Sequence, residues 1–365
     1  MLIKAAIIEE AGQDFRLVDM ELDPPKYGEV LVKVTACGVC HTDDAARHQL
    51  LPVPLPAVFG HEGCGVVEQV GEGVLGFKPG DRVGFSYGYC GECEACRTAM
   101  PYGCSENRRL NFGGVQYDDT KRLRYNGKEV SSFFGQSAFA TYSVVHQNNL
   151  IHAPDDVPLE LIGPLGCGIQ TGAGAVFNYL HPQADSSIIV TGCGPVGLSC
   201  IMAAKIAGCS KIIACDIVES RLELALELGA THKINSTDVH DVPSAVREMT
   251  GGLGSHYAVD CTGIGPCVRQ SLNCVRPVGI CVVLGATPEL TINVEEELMG
   301  TAKTLAGLVE GLSIPQIFIP RLLSYYRQGK FPFDRMIKTY DFADINRAFE
   351  DTKKGEVIKA VIKMP

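Results

Sequence analysis

The run SSIIVTGCGPVG, residues 186–197, limits the fold more than any other stretch of the chain. A short apolar segment leads straight into Gly192-x-Gly194-x-x-Gly197. A helical pattern follows, with Val196, Cys200, Ala203, Ala204 and Ala207 on one face. KIIACD then reads as a second strand ending on Asp216, nineteen residues past Gly197. Alone, this glycine spacing is a weak signal, because glycine-rich turns are common. Set between a strand and a helix, it reads as a dinucleotide-binding turn. Glycines let the backbone approach a pyrophosphate, and N–H groups at the helix start favour its charge. A carboxylate at Asp216 accepts hydrogen bonds from an adenosine ribose and repels a 2′-phosphate, which favours NAD. The competing reading is a tight turn followed by a capping or solvated Asp.

The rhythm around this motif sets the architecture. Leu222, Ala225, Leu226 and Gly229 mark a second helical face, and HYAVDC and GICVVLG continue the alternation. Strands alternating with helices imply a parallel, doubly wound sheet over residues 168–304. The earlier half is β-rich. In EVLVKVTACGVC, Val30, Val32 and Val34 alternate with Leu31, Lys33 and Thr35, the period of a half-buried strand. Turns through GHEGCGVVEQVGEGV and KPGDRVGF then suggest a barrel-like or partly open β fold over residues 1–167. Residues 305–365 carry helical segments and a last strand, VIKAVIKM, expected to return to the first domain. At 365 residues, two domains of an α/β class are the expectation.

Charge and composition exclude several functions. A net charge of −10 speaks against nucleic acid as partner. The apolar span 187–208 is broken by Gly192, Gly194, Pro195, Gly197 and Lys205, so it reads as strand and helix, not as a membrane segment. The first residues, MLIKAAIIEEAGQDF, lack the pattern of a signal peptide. Sixteen cysteines in such a chain point to reduced thiols and metal sites in the cytoplasm rather than to a disulfide scaffold.

Four of them crowd into CGECEACRTAMPYGC. Thiolates from Cys90, Cys93, Cys96 and Cys104 can fill every position around one tetrahedral zinc, a structural site with no room for substrate. Unrelated buried cysteines, or a redox pair, are the alternatives. A second set is scattered. Cys40, His61 and Cys167 match a catalytic zinc with an open fourth position, but spacing does not single them out. Cys37, Cys64, His41 and His48 compete, and a lone Cys or His is more often core than ligand.

CGVCHTD, GHEGCGVVEQVG, CGECEAC with Cys104, GCGIQTG, GCGPVG and ACD occur in the order seen in the zinc-containing medium-chain alcohol dehydrogenases. The chain resembles that family along its whole length. GCGIQTGAGAVFN, GLVEGLSIPQIFIPRLL and GKFPFDRMI are similar to its aryl-alcohol (benzyl-alcohol) branch. The resemblance implies a GroES-like catalytic domain, a Rossmann NAD domain and two zinc ions per chain. It assigns Cys40, His61 and Cys167 to the catalytic zinc, with Glu62 beside it. It also gives Asp43 the task of fixing the ligand imidazole and Thr42 the first proton of the alcohol. For NAD it marks Gly192, Gly194, Val196, Gly197, Asp216, Arg221 and Thr171, with His41 and Lys359 near the pyrophosphate. A solvated Lys359 is the plainer alternative. Ser86, Phe133 and Phe134 fall at the substrate pocket, where a small Ser86 leaves space for an aromatic group; the two phenylalanines are equally readable as core.

The implied reaction is hydride transfer between NAD and an alcohol or carbonyl compound, in a dry cleft between the domains. The implied assembly is a homodimer or homotetramer. One position departs from the family. Liver-type members carry a relay histidine five residues after the first ligand cysteine, and here that position is Ala45. His48 or His41 can substitute. The gap also keeps open a reductase of activated C=C or C=N bonds, and, more remotely, a zinc or nucleotide sensor.

Overall fold

The computed structural model describes residues 1–365. The chain forms two compact units, Met1–Cys167 with Ile314–Pro320 and Asp334–Pro365, and Gly168–Ser313 with Arg321–Phe333.

The first unit is built on two sheets. One has five strands, in the order Ala57–Val58, Leu2–Ile8, Arg16–Leu22, Leu123–Tyr125 and Lys128–Val130. The other runs Leu150–His152, Arg82–Phe85, Glu62–Val70, Glu29–Gly38, Lys359–Lys363 and Ile337–Asp341, with Tyr142–His146 also paired to Glu29–Gly38. The strand Glu29–Gly38 shows why its alternating pattern understates its burial. Val30, Val32 and Val34 enter one core with Phe59, Phe85, Phe133 and Phe139. Leu31 enters a second core with Ile3, Ile7, Leu22 and Val58, so this strand is covered on both faces at its start. The last strand returns here as expected, with Val361, Ile362 and Lys363 opposite Gly38, Cys37 and Ala36.

The second unit holds a six-stranded parallel sheet. Its order is His232–Asn235, Lys211–Asp216, Ser187–Thr191, Ser255–Asp260, Val275–Val283 and Thr304–Gly307. Right-handed βαβ crossovers are the usual way to join such strands, and the helices lie in sequence where periodicity places them. Pro195–Ala207 is buried without a break from Gly197 to Ala204, more than one face allows, because its residues there are small or apolar. Thr304–Gly307 pairs with Val275–Val283 and is still part of this sheet, so the chain leaves the second unit after residue 313 rather than at 305. Residues 321–333 also pack with the second unit. No helix is long and apolar enough to cross a membrane.

Candidate active site and cofactor turn

Cys40 caps the N-terminus of the helix His41–Arg47. Asp43, one turn on and fully buried, accepts the Cys40 N–H at 3.2 Å, the Gly60 N–H at 2.9 Å and the His61 Nδ1–H at 3.0 Å. One carboxylate thus ties a helix start to the chain segment that carries His61. Cys167 arrives through a close approach at Gly166, where a Cβ would stand 1.9 Å from the Phe85 carbonyl. The result is a group of half-buried Cys40 and Cys167 with buried His61 and Glu62, whose donor atoms lie within 4.8 Å of one another. The two sulfurs are 4.0 Å apart.

Several observations fit a zinc here. With Nδ1 committed to Asp43, His61 Nε2 is buried and lacks a hydrogen-bond partner. An unpaired imidazole nitrogen among thiols has the chemistry of a metal ligand. The sulfur separation suits a tetrahedron, whose edge is about 3.8 Å for a Zn–S length of about 2.3 Å. Cys40 is drawn well below an ordinary thiol pKa by the Cys167 sulfur and by His61, against the effect of burial. Burial would lower the His61 pKa, but the charges of Asp43 and Cys40 outweigh it and raise the value. The competing thiols separate cleanly. Cys37 and Cys64 donate to the Gly38 and Ala36 carbonyls, and burial pushes Cys64 up to about 12. They are core residues.

Thr42 joins the group, its Oγ1 3.6 Å from Cys40 Sγ. His48 does not. It sits at the C-cap of its helix with Nδ1 2.9 Å from the Asp44 carbonyl, while His41 is exposed at the helix start. Ala45 is buried and offers no group to stand in for them. Lys359 is not the solvated lysine of the plainer alternative. It is 2% exposed, 2.6 Å from Glu62 Oε1 and 3.0 Å from the Val39 carbonyl. The carboxylate and the nearby Cys40 keep it protonated against burial, so Lys359 serves Glu62.

The residues expected to line a substrate pocket are also buried. Ser86 donates to the Gly166 carbonyl at 2.7 Å. Phe133 and Phe134 belong to the core, but they also pack against His61. Phe134 lies flat on the His61 ring at 4.5 Å between centroids, and Phe133 meets it edge-on at 5.5 Å. No sequence signal pointed to this stack.

The second cysteine group is more exposed. Cys90, Cys93, Cys96 and Cys104 also lie within 4.8 Å of one another. Their sulfur separations are 3.9 Å for Cys90–Cys96 and 3.5 Å for Cys90–Cys104, near a tetrahedral edge and far from a disulfide at about 2.0 Å. Cys90 Sγ accepts the N–H groups of Glu92 and Cys93, and Cys104 Sγ that of Cys90. Backbone N–H groups of Cys96 and Ser105 lower Cys93 to about 6. The set fits a second, closed zinc site.

In the second unit the glycine turn is built for a close visitor. A Cβ at Gly197 would fall 1.8 Å from the Gly192 carbonyl, so packing forces that glycine. At Gly194 nothing lies within 4 Å, so chain packing does not require it. Asp216, expected to meet a ribose, is engaged by the chain itself. Its Oδ2 accepts the Cys193 N–H at 2.6 Å, and its Oδ1 accepts the N–H groups of Ile217 and Val218. It therefore braces the turn from inside. Arg221 Nε is buried without a partner. The helix Gly168–Gly174, which carries Thr171, packs tightly at Val196, where a Cβ on Gly172 would be 2.0 Å from the Val196 carbonyl. These residues fit a dinucleotide.

Comparison with known proteins agrees with this geometry. The alcohol dehydrogenase GroES-like domain matches residues 26–155, and the zinc-binding dehydrogenase domain matches residues 195–323. A geraniol dehydrogenase from Castellaniella defragrans is 42% identical over 363 residues, 98% of this chain and 97% of that protein. The crystal structure of benzyl alcohol dehydrogenase from Acinetobacter calcoaceticus is 45% identical, covers 100% of both chains and superposes with a TM-score of 0.95. An alcohol dehydrogenase zinc-binding domain protein from Burkholderia ambifaria gives 46% and 0.96, covering 100% of this chain and 99% of that one. With two zinc-ligand groups, a dinucleotide turn and relatives matched end to end, the chain belongs to the zinc-dependent alcohol dehydrogenases that use NAD.

Proposed function

We propose that this dehydrogenase oxidises alcohols whose carbinol carbon sits on an aryl ring or an allylic double bond, and reduces the matching carbonyl compounds. The observation that carries this reading is the His61 imidazole, open at Nε2 and covered by the Phe134 ring. The buried Phe133 and Phe134 rings make the surroundings of this imidazole apolar, which suits flat, apolar substrates. The names borne by two relatives, geraniol dehydrogenase and benzyl alcohol dehydrogenase, support the same class.

Cys40, His61 and Cys167 would hold one zinc, and Cys90, Cys93, Cys96 and Cys104 a second. When bound, the first supplies a Lewis acid for the substrate oxygen and NAD accepts the hydride. The side chains supply the rest. Asp43 keeps the proton of His61 on Nδ1, which leaves Nε2 a lone-pair donor. Thr42 Oγ1 would accept the proton of the substrate hydroxyl while releasing its own to solvent water, since Ala45 has no group to carry it onward. Lys359 holds Glu62 close to the sulfurs. Asp216 shapes the glycine turn and, with Arg221, selects NAD over its 2′-phosphate analogue.

The working form is a cytoplasmic homo-oligomer in this reading. Sixteen cysteines suit a reducing compartment. The outer edge of Thr304–Gly307 ends the sheet, and Val294, Met299 and Val309 are exposed on neighbouring segments, which fits pairing between copies. A panel of benzyl, cinnamyl, longer allylic and short aliphatic alcohols with NAD tests the function. The aryl and allylic compounds should lead in kcat/KM. Preference for ethanol would reject the substrate class.

A further inference from the structure

One cavity of the first unit has two kinds of wall. It measures about 220 Å³ and is lined by Leu51, Pro52, Asn107, Arg108 and Phe112. Leu51, Pro52 and Phe112 make it apolar, and its inner ring leads toward the ligand histidine. Phe112 packs edge-on against Phe134 at 5.2 Å and Phe133 at 5.9 Å, and Phe134 lies on His61 at 4.5 Å. Two ring contacts therefore separate the cavity wall from the imidazole.

The polar residues of the short helix Asn107–Phe112 and its cap divide into spent and unspent. Arg109 is held by Glu106 at 2.7 Å and Asp119 at 2.6 Å. The Asn111 amide bonds the Gly88 and Asn107 carbonyls. Only the side chains of Asn107 and Arg108, the two that line the cavity, make no hydrogen bond or ion pair within the chain. An exposed Arg over an apolar cavity is a fork of N–H donors waiting for a planar anion.

We propose that this cavity receives the far end of the substrate, and that Arg108, with the Asn107 amide, recognises a carboxylate there. The enzyme then favours amphiphilic alcohols with an apolar, unsaturated body and an anionic group remote from the carbinol. This rests on the aryl and allylic reading above and narrows it. Leu51, Pro52 and Phe112 take the apolar body by burial, and Arg108 takes the charge at the rim, where water still screens it.

The test compares each acid with its own methyl ester, at two lengths: 4-(hydroxymethyl)benzoate and 4-(hydroxymethyl)cinnamate. The readout is the acid-to-ester ratio of kcat/KM, which a general loss of activity leaves alone. In the wild type the ratio should be about tenfold or more at one of the lengths, the size of one charge-assisted hydrogen bond. It should shrink with added salt, fall toward one in Arg108→Gln and be partly kept in Arg108→Lys. A ratio near one at both lengths, with the esters and benzyl alcohol still oxidised, overturns the carboxylate inference alone. So does a preference that survives Arg108→Gln. If no aryl or allylic alcohol is oxidised with NAD, the underlying substrate class falls and the inference falls with it.

Discussion

The two candidate zinc-ligand groups share cysteine sulfur but are built on opposite plans. Cys90, Cys93, Cys96 and Cys104 come from one short loop, and the backbone N–H groups of that loop point at its own sulfurs. Cys40 and Cys167 are 127 residues apart and meet His61 only after strands, a helix start and a tight glycine contact are in place. A local loop closes at little entropic cost and needs the metal to hold it. A dispersed group is held by the fold whether or not metal is present. The first plan fits a structural staple. The second leaves a partly buried site with spare groups around it: Thr42, Glu62 and the Phe134 ring.

The largest effects should separate the plans. Cys167→Ser should cut kcat by about a thousandfold or more, since the group that activates the oxygen is lost. Its melting temperature should stay close to that of the wild type. Cys93→Ser should lower the melting temperature by about 5 °C or more and reduce soluble yield, with turnover lost only as protein is lost. Each variant should drop from about two zincs per chain to one by elemental analysis. If Cys167→Ser unfolds the protein and Cys93→Ser is merely inactive, the roles are reversed.

The same contrast explains what was legible in the sequence. Local features were readable: the four-cysteine loop, the glycine turn with its flanking strand and helix, and Asp216 at the strand end. Each is fixed by spacing within a few tens of residues. The dispersed group was not readable from spacing, because Cys37 and Cys64 look like ligands until their thiols are seen bonded to backbone carbonyls. Only family resemblance picked out Cys40, His61 and Cys167. Lys359 and Phe134 show the same limit. Lys359 reads as a lysine near the pyrophosphate or in solvent, and nothing in the sequence says that Glu62 waits for it almost 300 residues upstream. A phenylalanine next to another reads as core, which it is; its stack on His61 is a property of the assembled fold.

Thr42 sharpens the catalytic side of the comparison. Its hydroxyl is the group near Cys40 Sγ able to take and pass on a proton. Thr42→Val keeps the volume and removes the hydroxyl, so alcohol oxidation should fall by about a hundredfold or more. Zinc content and NAD binding should be retained. Intact turnover in this variant, with simple alcohols ignored and an unsaturated compound reduced by NADH, would point to conjugate reduction instead.

In the cofactor turn the effect should be smaller and in two parts. Asp216 holds the Cys193 N–H, and in the proposed reading its charge would also repel a 2′-phosphate. The wild type should prefer NAD over NADP by a factor of about ten to a hundred. Asp216→Asn removes the charge but keeps only one of the two accepting oxygens, so it should narrow the gap and also raise KM for NAD. Asp216→Ala should narrow the gap and also weaken NAD, because a buried N–H loses its partner. Equal efficiency with both cofactors in the wild type would remove Asp216 as the selector.

The smallest effect is expected at the histidines that replace the missing relay ring. If His48 passed protons from Thr42, its loss would cost what a positioned acid–base group contributes, about a hundredfold or more. The geometry points elsewhere. His48 ends the helix that begins at Cys40, its Nδ1 is engaged by the Asp44 carbonyl, and Ala45 lies buried between them in sequence. A ring used to close a helix end contributes to local stability, on the order of a few tenths of a kcal/mol up to about 1 kcal/mol. His48→Ala should therefore keep kcat/KM within about tenfold of the wild type, below the range of acid–base catalysis, and lower the melting temperature slightly. His41→Ala, exposed at the helix start, should act on KM for NAD before kcat. The measurement is the pH profile of each variant with and without added imidazole. A hundredfold loss in His48→Ala that free imidazole restores would show that the ring leaves its helix to serve Thr42, and the proton path would then run through His48 after all.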